Sequence, residues 1–256
     1  MSFKDALSQS PLGKSTDNSL SYSPDILVPI PRQRYTDKHA VQMCGDDIWN
    51  AYEFFFCDAQ GKARVGQLQL SFSVDSPHIV ESKSLKLYLN TYYNQRFQTL
   101  DACLAQVKRD LDNCLQTDCS IRFIALSEAG TSAMPAHYLC LDERVETITD
   151  TGLQLDELLV NETLYTHCFR SLCPVTSQPD FATILIQYEG KKLNEAALLG
   201  YLLSFADHQG FHEACVEEIF LALGRVSDFS QLCVQGLFTR RGGIDINPFR
   251  SKQKQD

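Results

Sequence analysis

The sequence predicts an α+β fold, with two ββααββ units in tandem, antiparallel sheets and the helices gathered on one face. Three observations lead there. Residues 65–75 alternate with period two: Leu68, Leu70, Phe72 and Val74 face one side, Gln67, Gln69, Ser71 and Ser73 the other. Leu100, Cys103, Leu104, Val107 and Leu111 recur at helical spacing, so 98–115 reads as an amphipathic helix. The same order of strands and helices then returns in the second half. Hairpins with segregated helices make α+β rather than α/β.

In chain order, residues 1–46 are rich in Ser, Pro, Asp and Lys and read as an irregular arm. Gly13-Lys14-Ser15-Thr16 ends like a phosphate-binding loop, but position 8 is Ser where that motif needs Gly. Residues 48–57 form an apolar, aromatic strand, and Asp58-Ala59-Gln60-Gly61 is a hairpin turn into the strand at 65–75. After the 98–115 helix come a strand at 120–126 and a short one near 138–141. The acidic, turn-rich stretch around 143–160 reads as a linker. Strands follow at 162–170 and 182–189, then helices at 195–206 and 212–225 separated by His208-Gln209-Gly210, then a strand at 232–239. At an offset of 114, Glu81 falls on Glu195, Leu89 on Leu203, Gln95 on Gln209 and Phe97 on Phe211. The halves are therefore expected at 47–142 and 161–256.

The chain has 256 residues, 23 Lys and Arg against 32 Asp and Glu, and a net charge of −9. That balance argues against nucleic-acid binding by overall charge. No apolar run approaches the ~18 residues of a membrane helix, and Met1 to Ser10 lack a signal-peptide core. With ten cysteines and no C-x-x-C pair, a reducing, cytoplasmic setting is expected, with most thiols inert in the core. No G-x-G-x-x-G follows a strand, so a nucleotide cofactor must bind by another route.

Three segments are dense in functional groups. Val80-Glu81-Ser82-Lys83-Ser84-Leu85-Lys86 follows a strand and opens a helix. A carboxylate there can accept two hydrogen bonds from a flat N–H edge, and Ser82 and Lys83 can hold a phosphate at the helix start. Cys173 to Phe181 is a turn-rich loop between strands, where Asp180, seven residues on, can fold back beside Cys173. Cys168, in the preceding strand, reads as core. Phe211-His212-Glu213 opens a helix with a donor and an acceptor side by side, and Arg240-Arg241-Gly242-Gly243 suits an anionic ligand. Taken alone, each also fits a blander role: a capped helix, a structural loop, or a turn in a solvated basic tail.

Together these segments resemble the NADPH-dependent 7-cyano-7-deazaguanine reductases, the nitrile reductases of queuosine biosynthesis, in their longer two-half form. Glu81 to Tyr88 carries the signature, and Leu12 to Asp17, Cys173 to Phe181, Phe211 to Glu213 and Arg240 to Arg250 match in order. Phe181 and Phe249 stand where Trp is common, and Ser177 where a larger polar residue is frequent. The resemblance implies the tunnelling fold (T-fold) and a cytoplasmic homodimer that uses NADPH and no metal. It implies Cys173 as nucleophile, Asp180 as proton donor and His212 as relay or clamp. Val80, Glu81, Ser82, His212 and Glu213 would hold the deazaguanine, and Ser82, Lys83, Arg241 and Gly242 the NADPH. A zinc-dependent T-fold hydrolase and a non-catalytic purine-binding module are the alternatives.

Overall fold

The computed structural model describes residues 21–32, 43–128, 134–148 and 151–252, with Asp5 besides. The Leu12 to Asp17 motif lies outside the described residues. Two compact units divide the chain. Of the described residues, 21–32, 48–128 and 240–245 belong to the first, and 43–47, 134–148, 151–239 and 246–252 to the second.

In the first unit, β1 (Pro29–Pro31) pairs antiparallel with β4 (His78–Val80). The strand order β6-β3-β2 joins β2 (Met43–Asp58), β3 (Ala63–Ser73) and β6 (Ser120–Ala125), and β5 (Arg96–Phe97) adds to β2 in parallel. The expected turn closes β2 onto β3. The Asp58 carboxylate accepts from the amides of Gln60 and Lys62, and Gly61 donates back to the Asp58 carbonyl. Leu68, Leu70, Phe72 and Val74 are all buried, as their alternation requires. Two helices follow in this unit, α1 (Ser82–Asn90) and α2 (Leu100–Leu115). Thr99 caps α2 by accepting from Ala102, worth about 1 kcal/mol. The helix stops at Gln116, whose φ of 56° is left-handed. Cys103, Val107 and Leu111 are buried along its stripe, while Leu100, at its first turn, stays exposed.

The second unit contains β7 (Leu139–Cys140), α3 (Leu141–Arg144), β8 (Leu155–Leu172), β9 (Pro179–Leu193), α4 (Glu195–Leu203), α5 (His212–Val226), β10 (Gln231–Phe238) and β11 (Ile244–Lys252). Their order is β11-β10-β9-β8-β7, antiparallel from β11 to β8, with a short parallel contact at β7. Leu164, Ile184, Ile186 and Val234 turn one face of this sheet toward Leu198, Leu202, Val216 and Phe220 of the two helices, in one buried cluster. The architecture is thus α+β with antiparallel sheets, in keeping with a tandem T-fold.

Several boundaries differ from the sequence reading. β8 and β9 run well past 162–170 and 182–189, because the outer half of the hairpin carries charges and shows no alternation. There Lys191 pairs with Glu157 at 2.8 Å. The helix expected at 195–206 ends at Leu203 and tightens into a 3₁₀ turn, Ser204–Asp207. The stretch for which a solvated basic tail is the blander alternative is a strand, Ile244–Lys252, and Arg250 on it is fully buried. Its guanidinium reaches Asp47 and Glu217, both at 2.8 Å. Those two carboxylates make burial of the charge tolerable.

Candidate active site

The loop that carries Cys173 is closed at both ends. β8 and β9 pair through Ser171↔Asp180 and Leu172↔Pro179. Beyond them the Cys173 amide donates to the Gln178 carbonyl at 2.9 Å, and the Ser177 amide to the Cys173 carbonyl at 3.0 Å. Ser177 takes a left-handed φ of 54° to make this turn, and its hydroxyl accepts from Gln209. The hairpin register sets Asp180 opposite Ser171, two residues before Cys173. Side chains directly opposite share a face, and so do those two apart on one strand. Ser171 and Asp180, directly opposite each other, are thus set toward the same side.

The segment between the two helices completes the arrangement. Leu172 donates to the His208 carbonyl at 2.8 Å, and Gly210 donates to the Leu172 carbonyl at 3.1 Å. This bridge brings the start of α5 to the loop. His212 Nε2 lies 3.4 Å from Asp180 Oδ2, and the imidazole stacks on Phe238 at 3.8 Å between ring centroids, 4° from parallel. His212 Nδ1 is buried and has no hydrogen-bond partner among the described residues, so it is placed to serve a ligand. Asp180 and Glu213 are both buried. Phe238 gave no functional signal in the sequence, since it reads as one more apolar residue of an alternating strand.

Cys173 is 8% exposed, buried but not sealed, whereas Cys215 is fully enclosed. Burial pushes the Cys215 thiol up to about 12, which keeps it protonated and inert. Cys168, read as core, is exposed. The cause is a β-bulge between Thr166 and Phe169, where the ladder gains one residue on β8. The Asp142 carboxylate holds the bulge by accepting from the Thr166 hydroxyl and the His167 amide, and two consecutive residues, His167 and Cys168, face solvent.

In the first unit, Val80 ends β4 and Glu81 caps α1. Both oxygens of Glu81 are held, one by the Lys83 amide and one by the Ser84 amide, each at 2.8 Å. Glu81 is only 3% exposed, and its carboxylate retains lone pairs beyond those two bonds. Those amides are consequently taken by the protein's own carboxylate, so a phosphate at this helix start would be held by the side chains of Ser82 and Lys83. Arg241 and Ile244 exchange backbone hydrogen bonds across a tight turn. Gly242 and Gly243, at φ 58° and 85°, supply the two left-handed residues it needs. The Lys86 ammonium donates to the Gly242 carbonyl. Lys83 lies three residues before Lys86 on the same helical face. The structure thus brings the Ser82-Lys83 and Arg241-Gly242 pairs to one region of this unit. Arg240 sits over the Tyr52 ring at 5.1 Å. Lysine, arginine and a glycine turn form a donor set that fits the phosphates of a dinucleotide.

Among the described residues no cluster of three or more His, Cys, Asp and Glu is arranged to hold a metal, and no helix is long and apolar enough to cross a membrane.

Comparison with known proteins matches residues 19–123 to the family described as nitrile reductase, 7-cyano-7-deazaguanine-reductase N-term, and residues 179–256 to the family described as QueF-like protein. An NADPH-dependent 7-cyano-7-deazaguanine reductase of Hydrogenovibrio crunogenus is 38% identical over 257 residues, covering 95% of this chain and 92% of that protein. The enzyme of that name from Bordetella parapertussis is 40% identical over 259 residues, 96% of this chain and 94% of its own length. One from Legionella pneumophila is 36% identical over 263 residues, 98% and 92% respectively. Agreement over nearly the full length of chains that share one activity, on top of the closed cysteine loop and the capped Glu81, places this chain in the NADPH-dependent 7-cyano-7-deazaguanine reductase family.

Proposed function

We propose that this chain reduces the nitrile of 7-cyano-7-deazaguanine to the primary amine of 7-aminomethyl-7-deazaguanine, consuming two NADPH, as a step of queuosine biosynthesis. The observation that carries this reading is the Cys173 loop, closed on the hairpin that carries Asp180, with His212 Nε2 3.4 Å from the Asp180 carboxylate.

A nitrile carbon is a weak electrophile, so the protein first makes it a better one. The Cys173 thiolate adds to that carbon, forming a C–S bond while a π pair of the C≡N bond moves to nitrogen. Asp180 gives that nitrogen a proton, which leaves a neutral covalent thioimidate. NADPH, when bound, supplies one hydride in each of two rounds. Between the rounds the C–S bond breaks, Cys173 leaves as thiolate, and an imine remains that must be kept from water. His212, stacked on Phe238, faces Asp180 through Nε2 and passes protons to it or clamps the substrate. Glu81 and Glu213 accept from the base edge, with Val80 and Ser82 beside it. A site built to pair polar edges rejects analogues that lack them. Ser82, Lys83, Arg241 and Gly242 hold the cofactor.

The working form in this reading is a cytoplasmic homodimer that holds no metal and does not contact nucleic acid directly. Intact-mass measurement with the nitrile and without NADPH tests the chemistry. The protein gains the mass of the substrate, and Cys173→Ala gains none. Turnover by that variant would sink the assignment.

A further inference from the structure

Part of the arm read as irregular is built into the structure around Glu81. β1 pairs with β4 through Pro29↔Val80, Ile30↔Ile79 and Pro31↔His78, so it runs alongside the strand that delivers Glu81. The pairing continues one step further. The Glu81 amide donates to the Val28 carbonyl at 2.9 Å, and the Val28 amide donates to the Ser84 hydroxyl at 3.1 Å. That hydroxyl in turn donates to the Glu81 carbonyl at 2.7 Å. Val28 and Ser84 therefore close a ring of three hydrogen bonds through the Glu81 backbone, while the carboxylate is held by the Lys83 and Ser84 amides. The arm is anchored at its other end. The Tyr22 hydroxyl donates to Asp110 at 2.6 Å, next to the Tyr88 hydroxyl, which bonds the same oxygen at 2.7 Å. Leu27, between the two anchors, and Ile30, within β1, are buried.

We propose that the Tyr22–Arg32 segment is a brace for the base-reading carboxylate, with the Val28 amide and the Ser84 hydroxyl as positioning groups that hold Glu81 in register. The inference rests on the assignment of Glu81 to substrate binding. Its logic is preorganisation. An acceptor aimed before the ligand arrives spends no binding energy on being aimed. Val28 makes both of these hydrogen bonds through its main chain.

Steady-state kinetics on the full chain with 7-cyano-7-deazaguanine and NADPH test the brace. Val28→Pro removes the amide and keeps an extended backbone before Pro29; Ser84→Ala removes the acceptor. Each is expected to raise KM for the nitrile about fivefold, the size of one hydrogen bond. kcat at saturation should stay within about twofold. The double variant should match Ser84→Ala alone rather than multiply the two effects, since the Val28–Ser84 bond is already lost there. Unchanged KM in both single variants, with only a lower Tm, would reduce the brace to a structural strap and overturn the proposal. A fall in kcat at constant KM would overturn it as well. Glu81→Gln separates the two layers. If it leaves KM unchanged, the assignment of Glu81 has failed. If it raises KM while Val28→Pro and Ser84→Ala do not, only the brace has failed.

Discussion

At the scale of single residues, the chemistry depends on how few atoms of the Cys173 loop remain adjustable. Cys173 is tied by both its amide and its carbonyl, Ser177 is fixed in a left-handed turn, and Asp180 is set opposite Ser171. His212 can neither tilt nor slide far, because its ring lies flat on Phe238. A proton donor at a fixed place is worth about a hundredfold or more in rate. Asp180→Asn keeps the size of the side chain and loses the acid. It is expected to slow thioimidate formation by at least about that factor, followed by stopped-flow absorbance, while equilibrium binding of the base changes little. An unaltered rate would remove Asp180 from the chemistry.

At the scale of elements, two arginines show how burial sets the value of charge. Arg250 joins β11 to α5 and to the start of β2 through Glu217, Asp47 and the Asp46 carbonyl, without solvent contact. Arg250→Met would leave two buried carboxylates facing each other. It should cost about 3–5 kcal/mol in urea unfolding, and a loss below about 1 kcal/mol would mean that the carboxylates find other partners. The Arg144–Glu195 pair ties α3 to α4 with two hydrogen bonds, at 2.7 and 2.8 Å. The Arg144 guanidinium holds the Glu195 carboxyl below its usual 4.5. A lowered folded-state pKa stabilises above the unfolded value and is lost as pH falls through the folded one. Glu195→Gln should therefore lower Tm modestly at pH 7, by the equivalent of about 1 kcal/mol or less. The gap to the native protein should close once pH drops well below 4.5. A gap that persisted at pH 2 would show that charge is not its source.

At the scale of the whole molecule, two units that share strands by chain continuity have consequences for folding. β2 begins in the second unit and continues in the first, and β11 does the reverse. Such interleaving favours a single unfolding transition over two separate ones. The proposed homodimer is checked at this scale too. Light scattering in solution should return twice the 28.9 kDa of the chain, and a monomer mass at micromolar concentration would remove that part of the proposal.

Local signals made much of this protein legible from its residues alone. Alternation exposed β3, and the Asp58 to Gly61 turn exposed its hairpin. A helical stripe marked α2, and the Cys173–Asp180 and Glu81–Lys83 segments stood out by residue type. These features act over a few residues, so their pattern survives in one dimension. What only the tertiary structure decided depends on partners distant in the chain. Arg250 looks like part of a basic tail until Glu217 and Asp47 are brought to it. Cys168 looks like core until a one-residue bulge turns it outward. The arm looks shapeless until β4 offers an edge for β1. A charge, a register and an edge strand each take their meaning from a neighbour that folding supplies, and composition carries no record of that neighbour.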